Sequence, residues 1–373
     1  MITIIPKGSY KVKIKLFSLV LAVIIASLSL ASCSSLRGAD DTSPSTEGVG
    51  RVTEPQGSDS LNVNAGTDVP PETDGESEET SEDTTADTAQ TDKPVEIPSN
   101  GKLNIPTDLS FLDSIQKGHF VDKNPDDPNG CWYPGSIKRN LSTGEVTVAW
   151  DRNAATIELV EKYGAIYRGD DTQKYVYLTF DCGYEYITPE YPKGVTSDIL
   201  DTLKEKGVTG TFFVTGDYLK GTKGEVELVG RMLDEGHIVG THTMSHYNMT
   251  TLTPEKFVEE IKSNNDLFRS LFPDAPDMTF YRPPEGGANE WTLALAQKMG
   301  LTTVFWSATE ADYNTANQPD PAKTLLNDKV KLHNGGVYLL HAVSTTNAQI
   351  LGDLIDFILA EGYEIRPLDE FVR

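Results

Sequence analysis

From Tyr175 to its C-terminus the chain alternates short apolar runs, rich in β-branched and aromatic residues, with longer amphipathic ones, and this alternation limits its possible folds more than any other feature. Strand-like runs fall at about 175–180, 209–214, 237–240, 278–281, 302–306, 336–341 and 363–366. Helix-like runs lie near 195–206, 224–235, 254–271, 289–299, 321–331 and 346–361. Thr253-Pro254-Glu255 opens one helix with proline at its first position, where a missing N–H costs nothing, and Gly207, Gly236, Gly300 and Gly362 each close one. Strands separated by helices pair in parallel, with the helices outside the sheet. The predicted fold is therefore α/β, a parallel sheet that either closes into a barrel or stays open. A hairpin around Ser142-Thr143-Gly144 and a helix from about Ala154 to Tyr163 precede it and are read as a lead-in covering one end of the core.

The reactive side chains are placed unevenly on this framework. Asp181, His242, Arg282, Trp306 and His341 each fall at or just beyond the C-terminal end of a predicted strand, the edge where parallel α/β folds bind their ligands. Asp181 ends the buried run of YVYLTFDCGYE (Tyr175–Glu185) and is a candidate general base; the bland reading is a turn residue before Gly183. His242 and His246 are four apart in HTMSH, a spacing that on a helical turn puts two imidazoles on one face, as two nitrogen ligands of a divalent metal require. The spacing alone also fits two unrelated surface histidines. Its position after a strand, with an acid ending another strand, favours the metal. Arg282 would hold Asp181 ionised, unless it merely forms a surface ion pair. His341 would serve as general acid with Asp312 as the carboxylate that raises its pKa; the alternative is a satisfied core histidine. His237 and His333 have no such company and read as structural.

The same residues carry a family resemblance. TFDCGYE, HTMSH, RPPEGG, Asp312-Tyr313 and LLHAVS occur in the order of the polysaccharide deacetylase motifs, and the chain resembles the NodB-homology deacetylases of carbohydrate esterase family four from about Trp132 to its end. FDCGYE, HAVS with Asn347, WYPGS and KYGAIYRGDD are most similar to the muramic δ-lactam-forming peptidoglycan de-N-acetylases. The resemblance implies a distorted (β/α)7-8 barrel that hydrolyses N-acetyl groups on peptidoglycan amino sugars, N-acetylmuramic acid foremost, using a divalent metal such as zinc, cobalt or manganese. It assigns Asp181 as base, Arg282 as its holder, His242 and His246 as metal ligands, and His341 tuned by Asp312 as acid. Leu339 and Tyr313 would line the acetyl-methyl pocket, Glu285 would offer its backbone N–H to the oxyanion, and Trp306 would contact substrate. Two residues depart from the family pattern. Glu285 replaces the usual tyrosine. Cys182 stands where most members have a second aspartate as third metal ligand, which leaves three readings: a thiolate ligand, a thiol pointing away from a two-histidine site, or a disulfide with Cys131. Chitin-type oligomers and acetylated xylan are rival substrates, and a non-catalytic wall-glycan-binding protein is the rival of another class.

Composition matters mainly upstream. Lys7, Lys11, Lys13 and Lys15, the apolar run Leu16–Leu30, and Leu30-Ala31-Ser32-Cys33 read as a lipoprotein-type signal over residues 1–33, with Cys33 as the lipid-bearing residue of a protein anchored to the outer face of a bacterial cell membrane. The apolar run is shorter than the roughly 20 residues a membrane span needs. Residues 34–100 hold sixteen acids against three bases and no aromatic residue, so they read as a disordered acidic linker that cannot bury enough apolar surface to order itself. The deacetylase-like domain is expected over 101–373, its core starting at about 173, as a monomer. With a formal net charge of −24 and no basic stripe, the chain is a poor candidate for nucleic-acid binding.

Overall fold

The computed structural model describes residues 101–115, 132, 135–149 and 154–373. The expectations for residues 1–33 and 34–100, Cys33 among them, and for Cys131 fall outside these. In chain order the elements are β1 (Ser136–Arg139), β2 (Val146–Ala149), α1 (Ala154–Lys162), β3 (Tyr175–Cys182), α2 (Val195–Lys206), β4 (Thr211–Val214), α3 (Gly216–Leu219) and α4 (Glu225–Asp234). There follow β5 (Ile238–Thr241), α5 (Pro254–Leu271), β6 (Phe280–Tyr281), α6 (Glu290–Lys298), β7 (Thr302–Thr303), β8 (Ala308–Thr309), α7 (Pro321–Val330), β9 (Gly336–His341), α8 (Thr345–Ala360) and β10 (Glu364–Ile365). β1 and β2 form the expected antiparallel hairpin.

The main sheet is parallel throughout, in the order β7-β6-β5-β4-β3-β9-β8, and β10 pairs with the start of β3. Its two outermost strands, β7 and β8, are joined by residues 304–307 alone, which span about 17 Å of extended chain at most. A flat sheet of seven strands would separate its edges by about 29 Å at ordinary inter-strand spacing, so the sheet curls until its edges nearly meet. Ile166 sits in the gap, donating its N–H to Thr303 O at 2.8 Å and accepting from Phe305 N at 2.7 Å. This is the curled half-barrel form of the expected (β/α)7-8 barrel. The predicted strand 302–306 yields only the short β7 at its start; residues 304–307 cross the gap and β8 follows at 308–309, because Thr302 and Thr303 pair with β6 whereas Ala308 and Thr309 pair with β9.

Alternation along β3 and β9 builds two cores. Tyr177 and Val337 point into the barrel with Phe213, Phe280 and Val304. Val176, Leu178, Phe180, Tyr338 and Leu340 point outward beneath α2 and α8, against Ile199, Leu203, Leu354 and Ile358. Each such side chain contributes about 1.5–3 kcal/mol on burial. The lead-in closes one flank as expected: Trp132 stacks on Phe305 at a centroid distance of 4.9 Å and donates its indole N–H to Trp306 O at 2.8 Å.

Candidate active site

Period-two alternation that fills the barrel with Tyr177 continues upward through Thr179 to Asp181, and β9 runs in register beside it. Thr179 pairs with Leu339 and Asp181 with His341. Two inward positions on adjacent parallel strands thus bring the expected base and acid side by side. Asp181 is almost fully buried and receives the Arg282 guanidinium at 2.8 Å through Nη1, while Nη2 donates to Thr179 Oγ1 at 2.7 Å. Arg282 is wholly buried, donates two further N–H groups, from Nε to Val304 O and from Nη2 to Phe305 O, and lies over the Phe213 ring. Its five donors are largely spent, so it is a fixed charge rather than a mobile one. Burial alone would raise the Asp181 pKa; Arg282, His242 and His341 outweigh it and hold the carboxyl below its usual value, ionised at neutral pH.

His242 follows β5 directly. Its Nδ1 is 2.9 Å from Arg282 O, which commits Nδ1–H as donor and leaves the Nε2 lone pair facing Asp181 Oδ2 at 3.4 Å. Burial pushes this imidazole down to about 4, so it is neutral. The His242 and His246 rings lie edge to face, 4.7 Å apart. They do not meet on a helical turn as the spacing suggested. Residues 242–248 are loop, and the meeting depends on left-handed backbone at Thr243 (φ 68°) and His246 (φ 54°). With Glu285 (φ 59°) these are the positive-φ non-glycine residues among those described, each costing about 1–3 kcal/mol, and all three border the site. The Thr243 hydroxyl accepts from His246 N at 3.0 Å, and Asn264 Nδ2 donates to Thr243 O, so the strained loop is held from both sides.

Opposite, Asp312 is fully buried. It accepts from His341 Nδ1 at 2.7 Å, from His341 N at 2.9 Å, and from Asn347 Nδ2. Burial would lower the His341 pKa, but Asp312, followed by Asp181, raises it above the usual imidazole value. Asn347 and Gln318 were assigned no role from sequence. Asn347 is placed by the N-terminus of α8, where the Ser344 hydroxyl accepts its backbone N–H, and Gln318 Nε2 donates to Asp312 O.

Asp181, His242, His246, His341, Glu285, Trp306, Tyr313 and Leu339 line one cavity of about 930 Å³. Thr215 and Asp217, after β4, also line it and carried no sequence signal. Arg282 and Asp312 stand behind it. Cys182 is absent from this group. It follows Asp181 on the same strand, so the pleat sends its side chain to the opposite face, among Phe180, Val214 and Tyr218. It is a free, buried thiol, and burial, with Glu185 and Asp181 adding to it, pushes its pKa well up. The thiol so placed faces away from His242 and His246; Cys131, the other half of the disulfide reading, lies outside the described residues. Among the described residues no three His, Cys, Asp or Glu side chains form a ready metal cluster. The two imidazoles still fit a divalent cation as a nitrogen pair, since His242 is neutral, has its Nδ1 anchored, and keeps Nε2 toward the cavity and a carboxylate.

Comparison with known proteins points the same way. A family model described as polysaccharide deacetylase matches residues 168–304. An uncharacterised 30.6 kDa protein of Geobacillus stearothermophilus is 42% identical over 216 residues, 58% of this chain and 77% of that protein. Peptidoglycan-N-acetylmuramic acid deacetylase PdaA of Bacillus subtilis strain 168 is 38% identical over 214 residues, 57% of this chain and 77% of that one. The solved structure of Bacillus subtilis PdaA, a family 4 carbohydrate esterase, superimposes with a TM-score of 0.55 at 34% identity, covering 64% of this chain and 96% of that one.

Proposed function

Since the chain belongs to the polysaccharide deacetylase family, carbohydrate esterase family four, we propose that it removes N-acetyl groups from peptidoglycan amino sugars, with N-acetylmuramic acid as the residue attacked. The observation that carries this reading is the pairing of Asp181, ionised beside Arg282, with His341, raised by Asp312, on adjacent strands of one cavity. A base and an acid separated by one inter-strand step suit amide hydrolysis, which must take a proton from water and give one to a departing amine.

In this mechanism Asp181 accepts the proton of the attacking water as its oxygen bonds to the acetamide carbon. Arg282 keeps Asp181 unprotonated between turnovers. The backbone N–H of Glu285 stabilises the oxyanion, and Leu339 and Tyr313 hold the acetyl methyl. The C–N bond then breaks as His341 Nε2 protonates the amine nitrogen, releasing acetate and the free amino sugar. His242 and His246 would hold a divalent cation, which when bound lowers the pKa of water and polarises the carbonyl. The name of the Bacillus subtilis relative supports muramic acid as the substrate. The N-terminal residues support a cell-surface lipoprotein, lipidated at Cys33 and held off the membrane by residues 34–100.

The test is acetate release by the full-length protein, supplied in turn with Zn²⁺, Co²⁺ and Mn²⁺, from muramic-acid-containing glycan, chitin oligomers and acetyl-xylan, with Asp181→Asn as the inactive control. Release from the muramoyl glycan alone is expected. No release from any of the three would defeat the proposal, and preference for either of the others would change its substrate. Palmitate labelling that survives Cys33→Ala would refute the anchor.

A further inference from the structure

Glu185 is a wholly buried carboxylate that the mechanism does not use. Its donors among the described residues are neutral: Oε1 accepts the backbone N–H of Thr196 at 3.1 Å and Oε2 accepts the Tyr218 hydroxyl at 3.1 Å. Burial raises its pKa, and these hydrogen bonds oppose the rise without cancelling it. An acid buried without a cationic partner costs stability that an apolar side chain of similar size would not. Its worth therefore lies in what it holds.

Gly183 and Tyr184 line the catalytic cavity and begin the loop 183–194 between β3 and α2, and Glu185 follows them directly. At the far end of this loop α2 starts after Gly194, which has no side chain to cap the helix, and Glu185 supplies the missing acceptor. Beside it Val195 N donates to Tyr186 O at 3.0 Å, so the loop is closed at its neck. Gly194 is fitted to this closure: its φ is 92°, and a Cβ there would stand 2.4–2.7 Å from atoms of the Glu185 side chain. The second carboxylate oxygen ties the neck to the loop after β4. Tyr218 lies on α3, whose cap Thr215 accepts Tyr218 N at 3.1 Å through its hydroxyl and donates to Gly183 O at 3.2 Å. On the other side Tyr184 Oη is 3.3 Å from Thr315 Oγ1, in the segment that follows Asp312 and Tyr313. Glu185 thus fixes a strip of cavity wall, while Asp181 is anchored separately by Arg282 and His341 by Asp312.

We propose that Glu185 is a positioning residue for the deacetylation: its carboxylate pins the loop 183–194 to α2 and to Tyr218, and so holds the Gly183–Tyr184 wall in the shape that receives the substrate. The inference rests on the deacetylase reading and adds a residue outside the cavity that governs binding rather than the chemical step. Because the base and the acid keep their own anchors, loss of the pin should leave kcat and its pH profile in place and raise KM, since the substrate must then order the loop. The test uses the full-length metal-supplied protein and muramoyl glycan, with kcat and KM read from acetate release below the unfolding transition of every variant. Glu185→Ala should raise KM about tenfold with kcat within about twofold of wild type. Glu185→Gln, which keeps an acceptor for Thr196 N, should recover most of that loss. Tyr218→Phe removes one of the two bonds, and Gly194→Ala displaces the carboxylate without altering it. Each should raise KM about threefold, and they decide the matter if Glu185→Ala does not fold. Tyr218→Phe added to Glu185→Ala should change KM no further. Wild-type KM in these variants with only thermal stability lowered would make Glu185 a stability residue and overturn the inference, as would a fall in kcat at unchanged KM; both leave the deacetylase reading intact. No acetate release by the wild-type protein refutes that reading and the inference with it.

Discussion

Asp312→Asn offers the sharpest probe of the acid assigned to this site, because it removes a charge while nearly preserving a shape. Asp312 lies 2.7 Å from His341 Nδ1 with no solvent access, and its charge is the largest influence raising the His341 pKa. A unit charge about 4 Å from the imidazolium is worth about 4 kcal/mol at an effective dielectric of ~20, and one pKa unit is about 1.4 kcal/mol. Asp312 is shared among three N–H donors, so we expect roughly half of that and a fall of about one to two units. The sign follows from His341 acting as an acid: activity is lost as pH rises through its folded pKa, so lowering that pKa moves the alkaline limb of kcat/KM to lower pH by the same amount. Asparagine also turns an N–H toward the Asn347 or His341 donors, which should cost about 1–3 kcal/mol of stability and, by misorienting the imidazole, about 10²- to 10⁴-fold in kcat at neutral pH. Steady-state pH profiles between pH 5 and 9, paired with thermal unfolding, check both parts. An alkaline limb that stays in place with kcat retained would show that His341 does not act through Asp312.

Cys182→Ala should leave Zn²⁺ affinity, measured by competition with a chromophoric chelator, within about threefold of wild type, because the thiol faces the outer core; a metal-bound thiolate would predict a loss of 10²-fold or more. Arg282→Met strands Asp181 without its counter-charge and should cost about 3–5 kcal/mol in denaturant unfolding, along with most activity. A loss below 1 kcal/mol would mean that Asp181 has another compensating partner. Asn347→Ala removes one donor from Asp312 and should lower kcat about tenfold with KM unchanged. An equal rise in KM would place Asn347 at the substrate instead.

Much of this architecture was written in local pattern. Thr253-Pro254 does cap α5 through its hydroxyl, Gly207 does end α2 at φ 67°, and the hairpin and lead-in helix fall where turn chemistry and periodicity put them. These signals concern neighbours in the chain, and backbone hydrogen bonding and side-chain period act at that range. Motif order likewise located Asp181, His242, His246, Arg282, Asp312 and His341, since strand ends can be read from sequence and the functional edge of a parallel sheet is a property of its topology.

What the sequence could not reach is where residues point once the strands are laid together. Cys182 was a plausible ligand as a letter beside Asp181, and the pleat of β3 turned it to the opposite face. The histidine pair meets through two left-handed residues in a loop that tertiary bonds from Asn264 help to hold, rather than through a helical turn. The run 302–306 kept only β7 because the curled sheet makes the chain leave β6 after Thr303 and cross to β9, which it joins at Ala308. Local composition determined which elements form and which residues stand at their ends. Only the closed packing of the sheet decided which faces those residues share, because side-chain direction depends on register and curvature, which arise from contacts between residues far apart in the chain.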